Sequence, residues 1–373
     1  MSREIALERI DIETMRFEDV NRPGWRHDET LLYGDAIGQI TDFILEWVRV
    51  ATARGRRKHS TPTRIGAPTM HIFMTGATGY IGSSVLDAFM RASHDVTALV
   101  RDPEKAEFIT RRGARPVIGD LAKPASYASA AEQADVVVHT ALDGSTRGHK
   151  IDRLAIDTFL AAMISRAAAG VPAAFVYTSG VWVLGDTSAP VAEDAPLRPT
   201  PFVAWRPEHE RLVLEAGRTG IRTVVVRPGI VYGGTRGIIA DLLKDAANGL
   251  VRVIGDGNNH WPCVYARDLA DLYVRVTSNA EASGVFHAND EADESVGDIV
   301  DAIARHARMR PDVRHVPLKE ARAKLGPYAD ALALDQRVRG PRARALGWSP
   351  TLHSVAGNVA RLLEEFRTRR EAA

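Results

Sequence analysis

Thr75-Gly76-Ala77-Thr78-Gly79-Tyr80-Ile81-Gly82 is a glycine-rich turn that follows a short apolar run, His71-Ile72-Phe73-Met74, and opens a helix-patterned stretch. Three glycines at G-x-x-G-x-x-G spacing have separate tasks where a strand becomes a helix. Gly76 permits the tight turn, Gly79 lets the backbone approach a pyrophosphate, and Gly82 lets the helix pack closely on the strand. The helix N-terminus presents free N–H groups and a partial positive charge to phosphate. The stretch predicts a dinucleotide site contacted by Gly76, Thr78, Gly79, Tyr80, Ile81 and Gly82.

Beyond this turn, strand and helix patterns alternate. Strands are expected at 71–75, 95–100, 115–118, 135–139, 173–178 and 222–226. Helices are expected near 79–92, 103–111, 125–132, 150–169 and 202–217. Short β-rich runs alternating with helices imply βαβ units, a parallel sheet and helices on both faces. The expected fold is α/β, a Rossmann doubly wound parallel sheet. After Arg227 the regularity breaks, which suits a smaller C-terminal substrate lobe built mainly from 228–373.

Upstream, residues 1–69 read as an extension, or as a start that belongs at Met70. Ile37, Ile40, Ile44, Leu45 and Val48 fall at helical spacing and predict an amphipathic helix over about 36–50. Arg54, Arg56, Arg57 and Lys58, followed by Pro62, Gly66 and Pro68, read as a basic linker.

The 373 residues carry a formal net charge of +1, so no global field favours nucleic acid or a membrane. No apolar run approaches the roughly 18 residues of a membrane span. The N-terminus lacks a signal-peptide core, so a cytoplasmic location is expected by elimination. Cys263 is the single cysteine; it is expected to be buried, and no Cys/His cluster has metal-ligand spacing.

Further motifs occur in order: Gly119-Asp120-Leu121, Val138-His139-Thr140-Ala141, Val176-Tyr177-Thr178-Ser179-Gly180, Arg227-Pro228-Gly229-Ile230-Val231-Tyr232-Gly233, Val264-Tyr265-Ala266-Arg267-Asp268-Leu269-Ala270 and Leu346-Gly347-Trp348-Ser349-Pro350. Together with the glycine turn they resemble the short-chain dehydrogenase/reductase superfamily. The branches resembled are the extended and atypical ones, which include sugar-nucleotide epimerases and dehydratases. The resemblance covers about 70–350. It implies that Asp120, with Leu121 beside it, meets the adenine and that Ala141 lines the nicotinamide side. It also implies a small-molecule substrate, with a homodimer as a further expectation.

The second strand ends Leu99-Val100-Arg101. An acidic residue there favours NAD, and Arg accommodates the 2′-phosphate of NADP. Arg101 points to NADP, with NAD as the second choice because Asp102 follows it.

The superfamily's usual Tyr-x-x-x-Lys pair is absent. Its phenol shuttles a proton while the ammonium lowers the phenol pKa. Here the helix reads Phe202-Val203-Ala204-Trp205-Arg206-Pro207-Glu208-His209-Glu210. Placing Glu210 at the family's Glu puts Phe202 at the Tyr and Arg206 at the Lys. Other registers put Trp205/His209 or Arg206/Glu210 there. The family's hydroxyl position falls on Gly180, with Ser179 and Thr178 adjacent. Arg206 can still bond the nicotinamide ribose but is a poor acid or base.

The candidate catalytic set is therefore Thr178, Ser179, Arg206, Tyr232 and His139, with Tyr177 and His209 as further proton carriers. His139 stands out because it ends a parallel strand, where open sheets bind ligands. In the second lobe Asn258, His260 and Trp261 are expected either to meet a polar ligand such as a sugar nucleotide or to form a structural loop. Asp268 is expected to cap the following helix. Two functions fit: an NADP-dependent oxidoreductase or epimerase/dehydratase-like enzyme with a non-standard proton donor, or a non-catalytic NADP(H) binder that reports redox state. An interaction module with an empty cofactor groove is a third.

Overall fold

The computed structural model describes residues 69–307 and 310–371. The helix expected over 36–50 and the basic linker lie outside the described residues. Eleven strands are present among the described residues: β1 (His71–Thr75), β2 (Asp95–Val100), β3 (Arg115–Ile118), β4 (Val136–His139), β5 (Ala174–Thr178), β6 (Arg222–Pro228), β7 (Ile230–Tyr232), β8 (Leu250–Ile254), β9 (Cys263–Tyr265), β10 (Gly284–Ala288) and β11 (Asp312–Val316). The helices are α1 (Tyr80–Arg91), α2 (Ala106–Arg111), α3 (Ala128–Glu132), α4 (Gly148–Ala168), α5 (Arg206–Ala216), α6 (Ile238–Ala247), α7 (Ala266–Ser278), α8 (Val296–His306), α9 (Leu318–Leu325), α10 (Tyr328–Leu332), α11 (Pro341–Ala345) and α12 (Val359–Glu371).

Seven strands form one parallel sheet in the order β10-β6-β5-β4-β1-β2-β3. The doubly wound α/β expectation holds, and β10 extends the sheet beyond β6. Its strands are rich in Val, Ile and Phe because both faces are covered. Successive residues point to opposite faces. Thus Ile72, Met74, Val136, Val138, Val176 and Val224 meet Val85, Leu86 and Phe89 of α1 and Leu269, Leu272 and Tyr273 of α7. Phe73, Val137, Phe175 and Val225 face the other way, onto Ile156, Phe159 and Met163 of α4 and Val213 of α5.

The remaining strands make two parallel pairs, β7 with β9 and β8 with β11. Tyr232, Trp261, Cys263 and Tyr265 pack with Leu242 and Leu243 of α6, Ile299 and Ile303 of α8, and Leu362 of α12 in a core of their own. Two features join this region to the sheet. Gly229 N donates to Ala288 O at 2.9 Å, next to the last strand of the sheet. Asp268, buried in the first turn of α7, accepts from Thr351 N at 2.8 Å, Thr351 Oγ1 at 2.7 Å and Leu352 N at 3.2 Å, while Trp348 Nε1 donates to the Asp268 carbonyl at 2.8 Å. Asp268 was expected to cap its own helix. The cap residue is instead Tyr265, without a side-chain cap bond, and the Asp268 carboxylate holds a later segment of chain.

The 202–217 helix also begins later than the pattern suggests. Residues 201–203 form a 3₁₀ turn, and the α-helix starts at Arg206 with Pro207 in its first turn. Pro207 has no N–H and its ring would collide with the carbonyl four residues back, so it is accepted only at a helix start. Phe202 and Arg206 consequently do not lie on one regular helical face.

Candidate cofactor and active site

A cavity of about 550 Å³ opens at the C-terminal ends of β1, β2 and β4. This is the point where strand order reverses between β1 and β4, the usual ligand crevice of an open parallel sheet. Its lining includes every residue expected to touch the cofactor except Arg206: Gly76, Thr78, Gly79, Tyr80, Ile81, Gly82, Arg101, Asp120, Leu121 and Ala141.

The glycine turn is built for close approach. Gly76 has φ +73°, and a Cβ there would lie 2.6 Å from Ala141 N; at Gly82 it would lie 2.0 Å from Gly76 O. Gly79 caps α1 in extended backbone without a side-chain cap bond, and no acidic residue lies in the first turn. A helix N-terminus opened by such a glycine turn suits a pyrophosphate. The residues present therefore fit a dinucleotide.

At the end of β2, the Arg101 side chain is 72% exposed and sits 3.4 Å from Asp143. Asp143 is held below the usual carboxylate range, first by Ser145 and then by Arg101. Asp102 Oδ1 accepts from Glu104 N at 3.0 Å, capping the 3₁₀ turn of 103–105. Lys105 and Arg236 also line the cavity, and the sequence reading missed both. Arg236 could have been found, because it sits in Gly233-Gly234-Thr235-Arg236-Gly237, a second glycine-rich stretch. Tyr80 reaches across to that loop and donates to Gly233 O at 2.9 Å.

Beside β4 and β5 lies a buried polar hub centred on Asp152 of α4. His139 Nε2 is 3.2 Å from Asp152 Oδ1, His209 Nδ1 is 2.8 Å from Oδ2, and Tyr177 donates to Oδ2 at 2.9 Å. Burial opposes the charge of Asp152, but bonds from His139 and His209 hold its carboxyl well below the usual range. Burial and the nearby Asp152 carboxylate push the Tyr177 phenol well up.

His139 is thereby removed from the proton carriers. Its second nitrogen meets Thr75 Oγ1 at 2.6 Å, so both ring nitrogens are engaged, and the residue is 1% exposed. His209, the other histidine among the candidate proton carriers, is also buried. Tyr232 is also corrected: it is fully buried in the second core, with Asp290 Oδ2 at 3.5 Å and Leu352 O at 3.4 Å, and burial together with Asp290 pushes its phenol far up. Asp152 itself escaped the sequence reading because a lone Asp within a helix pattern looks like a solvated residue.

Thr178, Ser179 and Arg206 do come together. Arg206 Nη1 donates to Thr178 O at 3.1 Å, and its guanidinium lies 4.5 Å from the Trp205 ring centroid. Thr178 Oγ1 is 2.5 Å from Tyr273 Oη. Ser179 Oγ is buried without a hydrogen-bond partner among the described residues. Glu210 fixes α5 to β6 through Arg227, with Nε–Oε1 at 3.0 Å and Nη2–Oε2 at 2.5 Å, both side chains buried.

Phe202 is 43% exposed and packs with Trp182 and Tyr328 at ring-centroid distances of 6.0 and 5.2 Å. In the second lobe the 255–262 loop is anchored to the protein. His260 Nδ1 bonds Asp335 at 2.7 Å, Trp261 Nε1 donates to Leu332 O at 3.0 Å, and Asn258 bonds Asp256. Cys263 is buried, and its thiol is pushed well up by that burial. Among the described residues no group of three or more His, Cys, Asp or Glu could hold a metal ion, and no helix is long and apolar enough to cross a membrane.

Residues 72–288 match the NAD dependent epimerase/dehydratase family. The chain belongs to that family. It is 29% identical to an uncharacterized protein of Schizosaccharomyces pombe over 78% of this chain and 98% of that one. It is 27% identical to the 4-hydroxy-2-methyl-3-oxo-4-farnesyl-3,4-dihydroquinoline-1-oxide ketoreductase of Stigmatella aurantiaca, over 68% of this chain and 78% of that one. Among solved structures, the Thermus thermophilus UDP-glucose 4-epimerase in complex with NAD superposes with TM-score 0.67 at 20% identity, covering 80% of this chain and 99% of that one. That last likeness speaks for the fold.

Proposed function

We propose that this chain is an NADP(H)-dependent oxidoreductase that interconverts a ketone and an alcohol on a small molecule, without a Tyr-x-x-x-Lys pair. The observation that carries the reading is the cavity itself, with the glycine turn and the N-terminus of α1 in its lining and Arg101 and Lys105 at the end of β2. Bound there, the nicotinamide would supply or accept hydride. The first-turn amides of α1 hold the pyrophosphate, Asp120 and Leu121 the adenine, and Ala141 and Arg206 the nicotinamide ribose side. Arg101 and Lys105 take the 2′-phosphate, while Asp102 is committed to capping its turn. Thr178 and Ser179 supply hydroxyls beside Arg206.

Two things favour a ketone with an apolar or aromatic body over a sugar nucleotide. Trp182, Phe202 and Tyr328 form a partly exposed aromatic cluster. The Stigmatella relative bears the name of a ketoreductase of a farnesylated quinoline.

The test is calorimetric titration of the full chain with NADPH and NADH. NADPH is expected to bind at least about tenfold more tightly, or about 1.4 kcal/mol, and Arg101→Glu should erase that preference. Equal affinities would overturn the NADP reading. Failure of both cofactors to bind would overturn the oxidoreductase reading, and NADPH binding with no turnover of any carbonyl would leave a redox sensor.

A further inference from the structure

In the register that puts Glu210 at the family's Glu, the tyrosine position holds Phe202 and the hydroxyl position holds Gly180. Neither can move a proton. A different phenol stands beside Phe202. Tyr328 opens α10 in the second lobe, and its ring packs 5.2 Å from Phe202 and 6.0 Å from Trp182, two residues beyond Gly180.

The other described tyrosines have engaged hydroxyls. Tyr127 donates to Leu121 O, Tyr177 to Asp152, Tyr265 to Glu365 and Tyr80 to Gly233 O. Tyr232 meets Asp290, and Tyr273 meets Thr178. The Tyr328 hydroxyl makes no hydrogen bond within the described residues, and the residue is partly exposed. Burial first, and then the Asp241 carboxylate, push its phenol up, so it stays protonated at neutral pH. That protonation state suits a donor.

The loop before β9 now acquires a task. Asn259 Nδ2 donates to Leu332 O at 3.2 Å and to Leu334 O at 3.1 Å, and Trp261 Nε1 donates to Leu332 O at 3.0 Å. These bonds clamp the end of α10 and so fix the helix that carries Tyr328.

We propose that Tyr328 is the catalytic acid, delivered from the second lobe to the place left by Phe202. The inference rests on the oxidoreductase reading above. In the reductive direction the substrate carbonyl carbon gains hydride from the nicotinamide of NADPH. The carbonyl π pair takes the phenolic proton, the Tyr328 O–H bond breaks, and the phenolate recovers a proton from water. The products are the alcohol and NADP⁺.

The deciding experiment is an alkaline ultraviolet titration of tyrosinate in wild type and Tyr328→Phe, each saturated with NADP⁺ or with NADPH, with calorimetry confirming saturation. The phenol missing from the variant should titrate about 0.5–1 unit lower with NADP⁺ than with NADPH, because the oxidised ring is positively charged. A midpoint indifferent to cofactor redox state would overturn the proposal while leaving the oxidoreductase reading intact. Failure of calorimetry to detect either cofactor would bring down that reading first. With ethyl benzoylacetate as the ketone probe, Tyr328→Phe should reduce kcat by about 10²–10⁴-fold with NADPH affinity unchanged. A variant that reduces this probe at the wild-type rate would also overturn the assignment. Where wild type does not turn the probe over, the titration decides alone.

Discussion

Replacing Asp290 by Asn tests the electrostatics of the second core. Asp290 is 4% exposed, just beyond β10. Its Oδ1 accepts from Ala292 N at 3.2 Å, and its Oδ2 lies near the Tyr232 hydroxyl. Burial, and then the negative Glu294, raise its carboxyl from 3.8 to about 7. The folded chain therefore holds a proton that the unfolded chain has lost. Stability from this group is complete below the unfolded value of 3.8 and drains away as pH rises through about 7. The slope is about 1.4 kcal/mol per pH unit. The loss is then about 2–3 kcal/mol between about pH 5 and 7, and about 4 kcal/mol over the whole window.

Asn keeps the shape of the protonated acid and has nothing to ionise. Urea unfolding of wild type and Asp290→Asn at several pH values should show the variant's advantage growing by about 2–3 kcal/mol over that range. His287 works in the opposite sense. Burial, and then Arg227, push its imidazole down from 6.5 to about 3, so stability rises with pH across that interval. His287 is present in both proteins and cancels in the difference. A difference that stays flat with pH would refute the reasoning.

Gly82→Ala should weaken NADPH binding by about a hundredfold or more, the equivalent of losing two charge-assisted bonds. Its Cβ would fall 2.0 Å from Gly76 O and 2.7 Å from Thr140 Oγ1; calorimetry checks this, and affinity within tenfold of wild type would count against the cradle. Glu210→Gln leaves Arg227 buried and uncompensated and should cost about 3–5 kcal/mol. Urea unfolding measures it, and a cost under about 1 kcal/mol would mean that water reaches the pair.

The sheet was legible because its signal is local. A run such as Val136-Val137-Val138 has few ways to satisfy both faces other than a central parallel strand, and the glycine turn announces what lies at its end. The second lobe was harder. Its strands pair across long separations, β8 with β11 and β7 with β9, and those pairings leave no periodic trace. The site divided along the same line. Gly76, Gly79, Gly82 and Arg101 sit next to the motif that predicts them. Asp152 and Tyr328 matter through neighbours far away in the chain, and a single sequence carries no mark of that proximity. His139 misled for the converse reason: the end of a parallel strand is a good place for a ligand, but Thr75 and Asp152 had already engaged its ring. Pro207 was a local signal that went unread, and it moves the start of α5 by four residues from the expected position.

The hold that Asp268 keeps on residues 348–352 bears on the order in which the molecule can be made. Trp348 belongs to the same packed layer as Ile72 of β1 and Val85 of α1. A nascent chain emerging at about 5–20 residues per second exposes α1 on the order of tens of seconds before Trp348 leaves the ribosome. Throughout that interval the outer surface of the first half-sheet lacks its last apolar cover. The first βα units can form early, but they cannot seal until the distal segment arrives and docks. Vectorial synthesis therefore leaves this face uncovered until the end, and the two lobes should prove inseparable as independently expressed pieces.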